Sequence, residues 1–254
     1  MAKAVVYAVA NHKGGVGKTT TCASLGAALA ELGQRVLLVD LDPQAGLTAA
    51  LGFRGQSFPK TTYALLLDEA DPEEAVLPTR YENLHLIPAD LDLAGAEAEL
   101  LGEIGWDRVL REALAPLKAR YDFILLDCPP SLGVLTVNAL MAADRAIIPV
   151  QTEYLALRSL THLGEVLTKV QRRGNPELRP KILRTLHQRR ARHAEEASQE
   201  LERLFPGRLY RTVITRTVRL AEAARAGVPI VFLLPHSEPA RQYRELAKEV
   251  LSDA

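Results

Sequence analysis

An α/β fold, with a doubly wound, mostly parallel sheet flanked by helices, is what this chain predicts. Three observations point to it. Short apolar runs recur along the sequence and are separated by stretches with helical periodicity. Two of those runs, RVLLVD at 35–40 and FILLD at 123–127, close on an aspartate. The first run opens straight into a glycine-rich segment, NHKGGVGKTT, and then into a helix-like stretch. Strands that alternate with helices pair in parallel, and strands covered on both faces read as unbroken apolar runs.

Taken in order, residues 4–10 (AVVYAVA) read as the first buried strand and CASLGAALAEL as the amphipathic helix after the glycines. The second strand is 35–40. A short helix is expected at 62–69, between turns marked by Phe58-Pro59 and Asp71-Pro72. Residues 84–88 (LHLIP) form a third strand candidate, and 91–101 and 105–119 look helical. Strands follow at 123–127 and at 146–150 (AIIPV), the latter with Pro149 near its end. A long helix is expected over 154–173, then a strand at 181–186, a helix at 194–205 and a strand at 210–214. A helix at 218–227, a strand at 229–234 and a helix at 239–252 complete the pattern. With no internal repeat, low-complexity tract or linker, a single domain over 1–254 is the simplest organisation.

Composition narrows the class. Hydrophobic residues make up 48% and charged residues 24%, ordinary values for a globular protein with a substantial core. Two cysteines, Cys22 and Cys128, cannot build a disulfide framework and read as small core residues of a reducing compartment. No signal peptide is visible and no apolar run approaches the roughly 18 residues that span a bilayer, so a cytoplasmic protein without a membrane partner is expected. The formal net charge of zero conceals a split. Residues 1–150 hold 12 Lys+Arg against 19 Asp+Glu, and residues 151–254 hold 19 against 12.

The segment 11–20 carries the most chemistry. A strand, a glycine-rich turn and a helix opening on Gly-Lys-Thr have the architecture of a phosphate-binding loop. Gly14, Gly15 and Gly17, with Val16 between them, let backbone N–H groups turn inward around an anion, and the helix N-terminus adds partial positive charge. Lys18 would lie along the β- and γ-phosphates, the Thr19 hydroxyl would ligate Mg²⁺, and Thr20 completes the nucleotide-binding set. Asp40 and Asp42 stand two residues apart at a strand's carboxyl end, where open α/β sheets bind ligands. Asp127, closing FILLD, fits a Walker B carboxylate holding Mg²⁺; the alternative is a strand-end aspartate that caps the next helix. Cys128-Pro129-Pro130-Ser131 forms a rigid loop placed to sense the γ-phosphate.

The loop is unusual in having His12 where the general pattern wants glycine, followed by a second lysine, Lys13. Lys-Gly-Gly-x-Gly-Lys-Thr is the deviant Walker A motif, and on it the chain resembles the ParA/MinD family of P-loop NTPases, in particular ParA/Soj-type partition ATPases. The resemblance extends through VLLVDLDPQ (36–44), ILLDCPPSLG (124–133) and TVITRTVRLAEA (212–223). It implies an ATP-dependent homodimer in which Lys13 contacts the nucleotide of the other subunit. It assigns catalysis to Lys13, Lys18 and Asp42, metal binding to Thr19, Asp42 and Asp127, and the cofactors ATP and Mg²⁺. Thr215 and Thr217 fall near the nucleotide base, where the family usually reads Pro-Arg-Asn and this chain reads Thr-Arg-Thr.

The resemblance also gives the basic half a role. Between Lys169 and Arg192 stand nine Lys+Arg and one acid, Glu177. Such a run is usually a solvated face. In a ParA-like ATPase it implies non-specific binding of double-stranded DNA, with Arg190, Arg192, Arg216 and Arg219 as the contacts, a ParB-like partner that triggers hydrolysis, and a nucleoid-associated location. Two other classes remain open. A MinD-like ATPase placing the division site needs a basic amphipathic C-terminal helix with bulky apolar residues, whereas ARQYRELAKEVLSDA mixes its charges. A nitrogenase-reductase relative or an ATP-dependent ligase is the third, although an iron–sulfur bridge would need suitably placed cysteine ligands.

Overall fold

A computed structural model describes residues 3–68, 70–152, 156–188 and 192–253, with 156–159, 192 and 193 described by their backbone alone. Strand β1 (Val5–Val9) leads into helix α1 (Lys18–Glu31), then β2 (Val36–Asp40) and two short helices, α2 (Gly46–Ala50) and α3 (Thr62–Leu66). Next come β3 (Leu77–Pro78), β4 (Leu84–Ile87), α4 (Leu93–Leu100) and α5 (Val109–Leu114). The chain continues with β5 (Phe123–Asp127), α6 (Val134–Ala142), β6 (Arg145–Gln151), α7 (Ala156–Arg173), β7 (Arg179–His187) and α8 (Arg192–Leu204). It closes with β8 (Leu209–Thr215), α9 (Val218–Ala226), α10 (Ile230–Leu233) and α11 (Glu238–Asp253).

The strands form one eight-stranded sheet in the order β3-β4-β2-β5-β1-β6-β7-β8. Every described pair is parallel except β3 with β4. That is the doubly wound arrangement the sequence predicts. From β1 the chain moves outward past β5 to β2, and from β5 it returns across β1 to β6. The switch point therefore lies at the carboxyl end of β1, where ligands bind in such sheets.

Burial on both faces explains the unbroken apolar runs. β2 and β5 are buried at every position. Alternate side chains of the sheet feed two cores. Val6, Ala8, Leu37, Val39, Ile124 and Leu126 face the core under α4 to α7. Tyr7, Val9, Leu38, Phe123 and Leu125 face the core under α1 and α11. Each fully buried aliphatic side chain contributes about 1.5–3 kcal/mol relative to exposure. Helix α1 is buried over most of its circumference, and Gly26 presses it onto the sheet. A Cβ at Gly26 would stand 2.7 Å from Leu38 Cδ2.

Two expectations at the level of elements need correction. The run 229–234 is not a strand. Residues Ile230–Leu233 form α10, with Ile230 and Val231 fully buried. Gly227, in the left-handed region at φ 65, ends α9, and Pro229 starts the next helical turn by accepting hydrogen bonds from Phe232 and Leu233 N–H. A short apolar run does not by itself distinguish strand from helix, and here the backbone closes locally. The 105–119 helix is broken. α5 ends at Leu114, and after Pro116 only a 3₁₀ turn at Leu117–Ala119 remains.

Candidate active site

The glycine-rich loop leaves β1 at the switch point and turns into α1 through two left-handed glycines, Gly15 at φ 75 and Gly17 at φ 92. A Cβ is disfavoured at both. Gly17 is the N-cap of α1 and accepts from Thr21 N–H at 2.9 Å. Among the described residues no side chain caps this helix end, so its free N–H groups are left to an anion.

Distant parts of the chain hold the loop in shape. Asn11, buried, donates its amide to Pro149 O at 2.7 Å and accepts from Lys13 N–H at 3.0 Å. Thr185 of β7 donates its hydroxyl to Val16 O at 2.8 Å. Thr21 meets the Tyr243 hydroxyl of α11 at 3.4 Å. Pro149 sits in β6 beyond the last register position shared with β1, so its missing N–H breaks no ladder on that side.

Lys18 is 7% exposed, and its ammonium donates to Lys13 O across the mouth of the loop at 3.3 Å. Burial lowers its pKa, while the charges of Asp127 and Asp42 oppose that shift. Lys13 is half-buried at the loop's start. Thr19 lies against the segment after β2: a Cβ at Gly46 would stand 3.6 Å from its hydroxyl. Thr20 is also half-buried and lines a neighbouring cleft together with Thr19, Gln44 and Gly46.

Three aspartates converge behind the loop. Asp127 is fully buried, and among the described residues neither carboxylate oxygen has a partner within hydrogen-bonding geometry, although the Thr19 hydroxyl lies near enough to favour its charge. Burial raises its pKa well above the usual range and Asp40 adds to this, whereas Thr19 and Lys18 nearby favour the charged form. Asp40, also fully buried, is satisfied: Oδ2 accepts from Thr48 N–H and Oγ at 2.8 Å each, and Oδ1 accepts from Asp42 N–H at 3.1 Å. Its pKa is pushed up to about 6, chiefly by burial. Asp42 is half-buried, and its Oδ1 accepts from Gln44 N–H at 3.0 Å. Cys22 and Cys128 are buried beside this cluster, their thiol pKa values raised first by burial and then by the Asp127 charge.

An orphaned carboxylate next to a threonine hydroxyl and an ammonium fits a divalent cation, because a buried charge without partners is costly and a cation removes the cost. Without a cation, burial favours the protonated form of both: between the ordinary carboxylate value of 3.8 and about pH 6 the folded protein keeps a proton on Asp40 that the unfolded chain releases, and Asp127 is shifted in the same direction. These groups therefore favour folding when protonated, and for Asp40 that contribution fades as pH rises through about 6. Asp127→Asn should raise the melting temperature of the nucleotide-free protein at pH 7 by about 2–4 °C and erase any stabilisation by Mg²⁺-nucleotide. A fall of similar size in thermal scans would overturn this reading of Asp127.

The predicted base-side residues lie at the end of β8 and just past it: Thr215 is the strand's last residue and Thr217 stands two further on. Thr215 is buried, and its N–H and hydroxyl meet Gln242 Oε1 at 3.1 and 3.3 Å. Thr217 caps α9 by accepting from Arg219 N–H at 3.3 Å. Both line a cleft with His187, Arg216 and Arg219. Thr185, which braces the phosphate loop, lies two residues before His187 on the same strand. Arg216 and Arg219 are exposed and have no ion-pair partner among the described residues. Arg190 lies outside the described residues, and Arg192 opens α8 with its side chain not described. Sequence reasoning did not find the braces Asn11, Thr185 and Gln242. Only Asn11, adjacent to the motif, offered a local signal.

A glycine loop between a central parallel strand and a helix, with a buried lysine, a threonine and strand-end aspartates around it, defines a P-loop nucleotide-binding protein. Comparison with known proteins gives the family. Residues 4–180 match the family model described as an AAA domain. The chain is 45% identical over 249 residues to the sporulation initiation inhibitor protein Soj of Bacillus subtilis, covering 98% of each. It is 40% identical to the chromosome partitioning protein ParA of Myxococcus xanthus, covering 97% of this chain and 87% of that protein. Among solved structures, the cobyrinic acid a,c-diamide synthase of Mycobacterium smegmatis with bound ATP analogue and magnesium superposes with a TM-score of 0.86. It is 41% identical, over 98% of this chain and 94% of that one. The chain belongs to the ParA/Soj-type family of P-loop ATPases.

Proposed function

We propose that this chain is a DNA-segregation ATPase. An ATP-bound homodimer, with Lys13 of each protomer reaching the other's nucleotide, holds double-stranded DNA without regard to sequence. A ParB-like partner stimulates hydrolysis and release. The observation that carries the reading is the cradle itself: the uncapped α1 N-terminus and buried Lys18 face Asp127, whose carboxylate has no partner within hydrogen-bonding geometry among the described residues. Similarity to Soj and ParA along almost the whole chain supports the biological setting.

Gly14 to Thr20 bind the triphosphate through backbone N–H groups, and Lys18 orients its β- and γ-phosphates. Thr19 and Asp127, with Asp42 at the switch, would hold Mg²⁺, which supplies charge neutralisation between the phosphates. Asp42 positions the attacking water, and Lys13 completes the site in trans. Thr215 and Thr217 flank the base. The apolar face of α11, with Tyr243, Leu246, Ala247 and Val250 at 0–1% exposure, packs into the core, so this helix does not offer that face to a membrane surface. A second reading, an ATP-dependent ligase, rests on the likeness to the cobyrinic acid a,c-diamide synthase of M. smegmatis. Turnover that responds to an acid substrate and an amide donor, and not to DNA with a ParB-like protein, would select it.

Gel shifts over a range of salt test the DNA step. Binding should need ATP, ignore sequence, and weaken with a log–log slope of about −0.9 per phosphate neutralised. Arg216→Ala with Arg219→Ala should flatten that slope by roughly one to two. Tight binding without ATP, or an unchanged slope in the double variant, would sink the assignment.

A further inference from the structure

The carbonyl of Val16, in the middle of the glycine-rich loop, is held by a side chain from the far half of the chain. Thr185 of β7 donates its hydroxyl to Val16 O at 2.8 Å. Both residues are buried, at 1% exposure each. Valine would have the same shape at such a strand position and would suit it equally well. What threonine adds is a donor, and that donor goes to the loop.

Val16 shares its peptide unit with Gly17. In a planar trans peptide the C=O and the following N–H point in opposite directions. Fixing Val16 O on Thr185 therefore aims the Gly17 N–H away from β7, and among the described residues no backbone carbonyl accepts from it. Gly17 is also the N-cap of α1, where no side chain caps the helix. The opposite arrangement is open to this loop. Turning the one peptide over changes ψ of Val16 and φ of Gly17, and glycine, here at φ 92, accepts either sign of φ. The flipped peptide would present a carbonyl oxygen to an anion in place of an N–H.

Thr185 is itself firmly placed. It pairs with Gln151 at the last register position shared by β6 and β7. Just after it, β7 takes one residue more than β8 between the pairs Arg184–Val213 and His187–Thr215. Leu186 lies in that stretch in the left-handed region at φ 50, which a residue with a β-carbon disfavours. Beyond it, His187 O accepts from Arg216 N–H at 3.0 Å, and the Thr152 hydroxyl stands 3.0 Å from His187 Nδ1. The strand is thus fixed on both sides of the strained residue.

We propose that Thr185 is a positioning residue for phosphate binding: its hydroxyl keeps the Val16–Gly17 peptide turned so that the Gly17 N–H faces the anion and the carbonyl does not. The role rests on reading the loop as the nucleotide site. Thr185 acts through the loop and needs no contact with the nucleotide.

Titration of the full chain with a fluorescent ADP and Mg²⁺ tests this in wild type, Thr185→Val and Thr185→Ser. Thr185→Val keeps the shape and removes the donor, so affinity should fall about tenfold. Thr185→Ser keeps the donor and should stay within about twofold of wild type. NMR with glycine-selective amide labelling gives a second readout. The Gly17 amide should move downfield when ADP binds to wild type and to Thr185→Ser, and should not do so in Thr185→Val. If Thr185→Val melts lower yet keeps wild-type affinity and the Gly17 shift, Thr185 is a structural brace alone and the proposal falls. Equal losses in Thr185→Ser and Thr185→Val would also overturn it, because the hydroxyl would not be what matters. A wild-type Gly17 amide that stays in place on binding ADP would overturn it without any variant. A wild-type protein that binds no ADP would overturn the nucleotide reading, and the proposal with it.

Discussion

Lys18→Ala will lose nucleotide, whereas Lys13→Ala will bind it and fail to dimerise. Lys18 is buried in the cradle, with its ammonium lying over the loop. Truncating one partner of a desolvated charge pair costs about 2–5 kcal/mol, so nucleotide affinity should fall at least about thirtyfold. Lys13 differs in position. Its backbone belongs to the loop, giving its carbonyl to Lys18 and its N–H to Asn11, and a substitution of the side chain keeps both bonds. The side chain itself starts ahead of the cradle, where the proposed dimer places the other protomer's phosphates. Fluorescent-nucleotide titration paired with size-exclusion chromatography in ATP separates the two roles. A Lys13→Ala dimer as stable as wild type would remove the trans contact, and a Lys18→Ala protein with wild-type affinity would remove the cradle.

Asp42→Ala should slow hydrolysis by about 10²–10⁴-fold while Lys18, Thr19 and Asp127 still hold the nucleotide, so the ATP dimer accumulates. Asp42 has a second task, because its Oδ1 fixes the turn by accepting from Gln44 N–H. Asp42→Asn keeps that acceptor and loses the charge, which makes it the informative companion. If Asn restores the wild-type rate, the turn is what matters and water positioning by the carboxylate is wrong. If Asn and Ala are equally slow, the charge is required.

The most legible parts of this protein are those whose chemistry is local. FILLD and VLLVD read as buried strands because each is short, apolar and closed by an aspartate, and both lie side by side, with Asp40 registered opposite Asp127. The loop reads as a phosphate cradle because left-handed backbone needs glycine at Gly15 and Gly17 wherever the fold places them. Helix α2 is not legible. Its N-cap is Ala45 at φ 52, a left-handed residue without a capping side chain. Position 45 therefore carries none of the residue types that announce a helix start. The 229–234 run misleads for a different reason: its composition suits either element, and only the available place in the fold decides.

What the sequence determined by itself is the set of groups bound to three strand ends and one helix start: the glycines after β1, Lys18 and Thr19 at the start of α1, Asp42 after β2 and Asp127 closing β5, together with a parallel sheet to carry them. Tertiary structure alone decided how those groups are braced and charged. Thr185 reaches Val16 across 169 residues, and Asn11 reaches Pro149 across 138. Thr48 satisfies Asp40, while among the described residues the Asp127 carboxylate has no partner within hydrogen-bonding geometry. A periodicity reports which way a side chain faces within its own element. Which distant donor meets a buried carboxylate depends on how the elements stack, and that pairing sets whether the charge is neutralised from within or left for a cation.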